Sequence, residues 1–220
     1  MNITGAIFDM DGTLIDSLGV WDDVLWRKFG ERYLGDCGFL PNEKDEKAVR
    51  TMTLRQGMEL IYEKYGIGES AEELLKFAEE IVEDFYSNSV EMKSGAKEYL
   101  QYLKDMGVKI CLATATDNHL VEVALKRCDI GKYFDHIVTC TEVGAGKDKP
   151  DVFLAALDKI GTNLETTWLF EDSLKALETA KAAGFKTVGI YDKNTSGQDL
   201  IKEISTIYIS EGDSLKSLIP

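Results

Sequence analysis

Histidine and paired cysteine are nearly missing from this chain. There are two histidines, His119 and His136, and four cysteines, Cys37, Cys111, Cys128 and Cys140, with no CxxC pair among them. That pattern speaks against a zinc site and against a disulfide framework. Cys111 sits in an apolar run that reads as a buried strand, which fits reduced thiols. Positive charge is also scarce. The chain has 25 Lys and Arg against 39 Asp and Glu, a formal net charge of -14. Such a surface repels nucleic acid and anionic membranes, so neither is expected as a partner. It repels phosphorylated substrates at long range too. A phosphate site must therefore be a local positive pocket made by a metal, a lysine or backbone N–H groups. No apolar run is long enough to span a bilayer, and Met1 to Gly5 puts no basic region ahead of an apolar stretch. No internal repeat or low-complexity tract is visible. These absences lead to the expectation of a cytoplasmic protein.

What is present suits a folded chain with a real core. The chain has 220 residues, of which 44% are hydrophobic. That allows one sizeable domain, or a core domain with a smaller insertion. The first apolar run, Ile3 to Phe8, stops at Asp9-Met10-Asp11-Gly12, a strand followed by a turn. From about Asp16 to Val90 the pattern is helical. Leu18, Trp21, Leu25 and Phe29 recur at helical spacing, as do Leu74, Ala78, Ile81, Val82 and Phe85. Pro41 to Lys47 reads as a loop or helix start. From Ser94 onward, helices and short apolar strands alternate. Helices are expected over Ala96 to Met106 (stopped by Gly107), Asn118 to Cys128, Pro150 to Ile160 and Leu174 to Ala183. Strands are expected over Val108 to Ala113, His136 to Cys140, Thr167 to Phe170, Lys186 to Ile190 and Thr206 to Ile209. This is the signature of right-handed βαβ units. The fold class expected is α/β, a doubly wound parallel sheet with an inserted all-helical segment. The core would be residues 1–15 plus 93–220, and the insertion residues 16–92.

Ligands of open α/β sheets bind at the carboxyl ends of strands. Four such ends here carry polar groups. The first offers Asp9 and Asp11, the second Thr114 and Thr116, and the fourth Glu171 and Asp172. The loop before the third helix offers Lys147 and Lys149. Carboxylates in this number can hold Mg²⁺, which wants oxygen ligands and keeps water positions open for substrate. Asp9 and Asp11 face opposite ways on an extended strand, so one could ligate through its backbone carbonyl. A carboxylate beside the metal can attack phosphorus, and a second can protonate the leaving alcohol and then activate water. Thr114 and Lys147 can hold the equatorial phosphoryl oxygens. The N–H groups of Ala115 to Asn118, opening a helix, can add to that cradle.

Each piece alone has a bland explanation. Asp-x-Asp is common on loops, a threonine often ends a strand, and Glu-Asp can simply favour a helix start. Together and in this order they resemble the haloacid dehalogenase superfamily. Asp9-Met10-Asp11-Gly12-Thr13 looks like its first motif, Thr114 after Cys111-Leu112-Ala113 the second, Lys147 in Gly146-Lys147-Asp148-Lys149-Pro150-Asp151 the third, and Phe170-Glu171-Asp172-Ser173 the fourth. The branch it looks like is the β-phosphoglucomutase-like phosphatases, whose helical cap sits where the insertion sits here. The resemblance implies Asp9 as nucleophile, Asp11 as general acid and base, and Mg²⁺ held by Asp9, Asp11 and Asp172. Glu171 is implied as a ligand or an outer partner. Thr114, Ala115 and Lys147 are implied as phosphate contacts.

The third motif departs from the common Lys-Pro-x-Pro, because Asp148 replaces the first proline and Lys149 is a second candidate. Spacing to Asp151-Val152-Phe153 favours Lys147. The presence of Asp11 argues against halide and phosphonate chemistry. Sugar-phosphate mutases of this branch carry a hinge histidine where Trp21 stands. They also need basic cap groups, for which only Arg50 and Arg55 offer themselves. The expectation is a Mg²⁺-dependent phosphatase of a small phosphate ester, acting as a monomer. A phosphomutase is the alternative, and a non-catalytic phosphate-binding regulator the second.

Overall fold

A computed structural model describes residues 2–35, 39–49 and 52–220, except the side chains of Asp22, Asp23 and Lys47. Cys37 and Arg50 lie outside the described residues. The first strand, β1 (Gly5–Phe8), is buried throughout. A strand of small and apolar residues with both faces covered suits the middle of a parallel sheet. It lies between β4 (Lys109–Thr114) and β6 (Thr167–Glu171), with Phe8 opposite Leu112 on one side and Phe170 on the other. Beyond β4 comes β5 (His136–Thr139). Beyond β6 come β7 (Lys186–Ile190) and β8 (Ile207–Ile209). All five pairings are parallel. The chain builds outward from β1 through β4 to β5, then crosses to the other side. The strand order thus reverses at β1, where such sheets open a crevice for ligands.

Successive side chains of β1 point to opposite faces. Ala6 and Phe8 join a core with Leu112, Phe170 and residues Tyr99 and Leu100 of α5 (Ala96–Asp105). Phe8 stacks on Phe170 with ring centroids 4.1 Å apart. Ile7 joins the opposite core with Cys111 and Leu169. That core also holds Phe153 of α8 (Asp151–Ile160) and Ala176 of α9 (Leu174–Ala182). On the Phe8 face, α6 (Asn118–Cys128) adds Leu120, Val121 and Ala124. The sheet is therefore covered on both faces. Replacing a ring such as Phe8 by alanine would cost about 3–5 kcal/mol. Gly107 ends the turn after α5 at φ +74°, as its position in the sequence requires.

Between β1 and α5 the chain makes an excursion. It leaves through β2 (Ile15–Asp16) and returns through β3 (Glu91–Met92), which pair antiparallel. All regular structure among the described residues between them is helical. It consists of π-helical turns at Val20–Val24 and Gly30–Leu34 around α1 (Leu25–Phe29), then α2 (Glu43–Val49), α3 (Leu54–Tyr65) and α4 (Ala71–Asn88). Thr53 and Gln56 form a reciprocal capping box at the start of α3, and Ser70 accepts the Glu73 N–H at the start of α4. Leu74, Leu75, Ala78, Ile81, Val82 and Tyr86 bury one face of α4.

The first helical segment departs from the expected spacing. Each π turn takes up more residues than an α turn and rotates the buried face. Val20 and Trp26 are buried as a result, while Leu18 and Trp21 stay half exposed. The short ribbon β2–β3 had too few residues to show a period. Two further helices carry little pattern: α7 (Cys140–Val143), and α10 (Gln198–Ile204), which buries only Ile201.

Candidate active site

Asp9 follows β1 and extends its ladder by one bond, its N–H donating to the Phe170 carbonyl at 3.0 Å. The chain then turns sharply. The Met10 carbonyl accepts the N–H groups of Thr13, Leu14 and Ile15. Gly12 has φ +80°, and a Cβ there would stand 2.7 Å from Asp172 Oδ2. Glycine is thus required both by conformation and by the approach of the neighbouring strand end. Because β6 lies beside β1, Glu171 and Asp172 arrive next to Asp9. Oxygens of these three buried carboxylates all lie within 4.8 Å of one another. Lys147 reaches in from the loop before α8. Its buried ammonium donates to Asp9 Oδ1 and, at 2.8 Å, to Glu171 Oε2. Lys149 is exposed, so of the two lysines it is Lys147 that meets the carboxylates.

Three buried carboxylates facing one ammonium make a strained electrostatic arrangement. Burial, and then the Glu171 charge, push Asp9 up to about 8 despite Lys147. Burial and Asp172 push Glu171 up to about 7, with Lys147 opposing. Burial and Asp9 push Asp172 up to about 7, with Thr195 opposing. Burial would lower the Lys147 ammonium, but Asp9 and Glu171 outweigh it and hold it well above its ordinary value. A clustered all-oxygen donor set with excess negative charge suits a hard divalent cation, whose charge removes the repulsion.

Asp11 is engaged differently. Its carboxylate accepts three hydroxyls: Ser17 at 2.6 Å and Tyr86 on Oδ1, and Thr116 at 2.7 Å on Oδ2. Tyr86 comes from α4, so a side chain of the helical excursion reaches the first motif. Burial, then the Asp11 charge, raise the Tyr86 phenol well above its ordinary value, and the phenol stays a donor. Thr114 is buried at the end of β4 beside Thr139, and its Oγ1 accepts the Thr116 N–H at 3.1 Å. Ala115, half-buried, lies between them.

Several side chains in the site carried no motif. Tyr86 lies on α4, Ser17 directly follows β2, and Thr195 lies in the loop between β7 and α10. Thr195 donates to Asp172 Oδ2 at 2.7 Å, while Thr13 donates to Oδ1 at 3.2 Å. His119 and His136 are exposed. Arg55 is exposed and pairs with Glu72 at 2.7 Å. Cys111, Cys128 and Cys140 are unbridged.

The sequence profile of the haloacid dehalogenase-like hydrolases matches residues 6–190. The chain belongs to that family. Its relatives include a phosphorylated carbohydrates phosphatase of Thermotoga maritima, 29% identical over 198 residues, which are 90% of this chain and 89% of the relative. A (DL)-glycerol-3-phosphatase 2 of Arabidopsis thaliana is 28% identical over 218 residues, 93% of this chain and 87% of that one. Among solved structures, a variant of CbbY from Rhodobacter sphaeroides in complex with xylulose-(1,5)bisphosphate superposes with a TM-score of 0.83. It covers 99% of this chain and 96% of its own, and its 20% identity makes this a likeness of fold. The family expected from the four motifs is therefore the right one, and so is the α/β parallel-sheet core. The protein is an enzyme of this hydrolase class.

Proposed function

We propose that the protein is a magnesium-dependent phosphatase of a small phosphorylated metabolite, with Asp9 as nucleophile and Asp11 as general acid and base. The observation that carries this reading is the buried group of Asp9, Glu171 and Asp172 with Lys147 among them. Asp9, Asp172 and Glu171 would hold Mg²⁺, together with the Asp11 backbone carbonyl. When bound, the cation supplies the positive charge that lets an anionic nucleophile approach an anionic ester.

The remaining work falls to side chains of this chain. Lys147 screens the phosphoryl oxygens, helped by the Thr114 hydroxyl and the Ala115 N–H. An Asp9 carboxylate oxygen bonds to phosphorus as the ester P–O bond breaks. The departing alcohol oxygen keeps that electron pair and takes the Asp11 proton. Asp11 then takes a proton from water while the water oxygen attacks phosphorus. The P–O bond to Asp9 breaks, and the carboxylate and free phosphate are restored.

Residues 16–92 act in this reading as a cap domain over the core formed by 1–15 and 93–220. A cap of that size excludes water and large substrates, which supports a metabolite rather than a protein. The curated relatives named above act on phosphorylated carbohydrates or glycerol phosphate, which supports the same substrate class. The charge of -14 supports action away from nucleic acid and anionic membranes, as a cytoplasmic monomer. No helix among the described residues is long and apolar enough to cross a membrane. Trp21 at the place of a mutase hinge histidine favours hydrolysis over transfer between sugar positions.

The test is phosphate release from a panel of sugar, polyol and nucleotide monophosphates, with Mg²⁺ and with chelator. Magnesium-dependent release from a few members is expected. Absence of release from every member, or release untouched by chelator, would overturn the reading.

A further inference from the structure

Resting on the cation reading above, we propose that Thr195 is a positioning residue of the cation site, and that the loop carrying it is anchored to the returning ribbon strand so that Asp172 keeps its aim. Asp172 accepts one hydroxyl on each oxygen, from Thr13 at 3.2 Å and from Thr195 at 2.7 Å. Two donors on opposite oxygens fix the plane of a carboxylate that would otherwise turn about its Cβ–Cγ bond. The remaining lone pairs are left for a cation. Outer partners of this kind orient ligands and tune affinity. Thr13 belongs to the first motif. Thr195 is 23 residues from Asp172, in the loop between β7 and α10, and belongs to none of the four motifs.

The loop is tied at several points. Asp192 Oδ1 accepts the Asn194 N–H at 2.8 Å, and the Asp192 carbonyl accepts the Thr195 N–H at 3.1 Å. Gln198 Nε2 donates to the carbonyls of both Asp192 and Thr195 at 2.9 Å. Asp192 is buried, and its other oxygen forms an ion pair with Lys93. Lys93 follows β3, where the helical excursion rejoins the sheet. Its ammonium also donates to the Tyr191 carbonyl at 3.2 Å, and its N–H donates to the Leu14 carbonyl at 2.9 Å. Leu14 directly follows Thr13. Lys93 therefore holds together the two segments that supply the hydroxyls on Asp172. The Asp192 carboxylate is buried while Lys93 is only half-buried, and removing the ammonium would leave that buried charge unpaired, which is costly.

The experiment is a titration of the full-length protein with Mn²⁺, followed by paramagnetic resonance of the free ion. It uses wild type, Thr195→Val, Thr195→Ser and Asp172→Asn. Valine keeps the shape of threonine and loses the donor, and serine restores the donor. Thr195→Val should weaken Mn²⁺ binding about 10–100-fold, the usual range for an outer partner of a ligand. Thr195→Ser should stay close to wild type, and the circular dichroism of all variants should match. Wild-type affinity in Thr195→Val would overturn the proposal while leaving the cation site standing. If wild type fails to bind Mn²⁺, or Asp172→Asn binds it undiminished, the cation reading falls and the proposal with it.

Discussion

Tyr86, on the last turn of α4, donates its phenolic hydrogen to Asp11, three residues past β1. A residue of the helical excursion thus holds the carboxyl proposed to move protons in the core. Ser17 and Thr116 complete the grip. Tyr86→Phe keeps the ring and removes one of three donors. The turnover number should fall about tenfold, a fraction of the 10²–10⁴ that a general acid contributes. The KM should move little, because substrate contacts are not removed. An unchanged turnover number, with the fold intact, would mean that Ser17 and Thr116 alone orient Asp11.

Asp9→Asn removes the nucleophile while nearly preserving its shape. Turnover should drop by about 10⁴-fold or more, because no other group replaces the attacking oxygen. The same change relieves a crowded set of carboxylates. In chelator at pH 8, the variant should unfold no earlier than wild type, since the charge lost was held at a cost by burial and by Glu171. Lys147 keeps Glu171 as partner. Thermal unfolding beside a phosphate-release assay checks both halves. Retained turnover would remove Asp9 from its proposed role.

The sheet and the strand-end residues were legible because each strand is a short apolar run that stops at a polar group. Burial on both faces writes β1 and β6 into the sequence, and the carboxylates after them have no reason to be there except chemistry or caps. The family profile and the likeness to solved folds bear out the α/β core. Partners that depend on three-dimensional approach were not legible. Tyr86 reads as one more apolar position on α4, and only the packing of α4 brings it to Asp11. Thr195 stands in a loop without period, and Lys93 looks like any charge after a strand. The π turns around α1 also lie beyond a reading based on 3.6-residue spacing, since a widened turn leaves no mark in composition.

Arg55 was a candidate for holding a distal anionic group of the substrate. The structure gives it a partner inside the helical excursion, Glu72 at 2.7 Å, and both side chains are exposed. Exposed pairs of this kind contribute little to stability and are screened by salt. Arg55→Ala should therefore leave KM for each hydrolysed substrate within about twofold of wild type, as expected of a solvated surface pair. A selective rise in KM for substrates with a second anionic group would place Arg55 at the substrate instead.

The carboxylate cluster also sets how stability should respond to pH and cation. Asp9, Glu171 and Asp172 are raised to about 8, 7 and 7 in the folded protein. Free carboxyls titrate near about 4. A group raised on folding supports the fold below its unfolded value and loses that support as pH climbs through the folded value. In chelator, the unfolding midpoint should therefore fall between pH 5 and pH 8. Lys147 is shifted upward and stays charged across that window, so it does not reverse the sign. Asp172→Asn removes one titrating group and should flatten the fall. Cation binding displaces protons from these ligands, so it should stabilise most at pH 8. At about 100 times its dissociation constant, a cation adds about 2.7 kcal/mol. In a chain of this size that is about 5–10 °C in the unfolding midpoint. Scanning calorimetry at both pH values, with chelator and with Mg²⁺, measures all of this. A wild-type midpoint that rises with pH in chelator, beside an Asp172→Asn variant with the same slope, would show that the three carboxylates do not carry the strain.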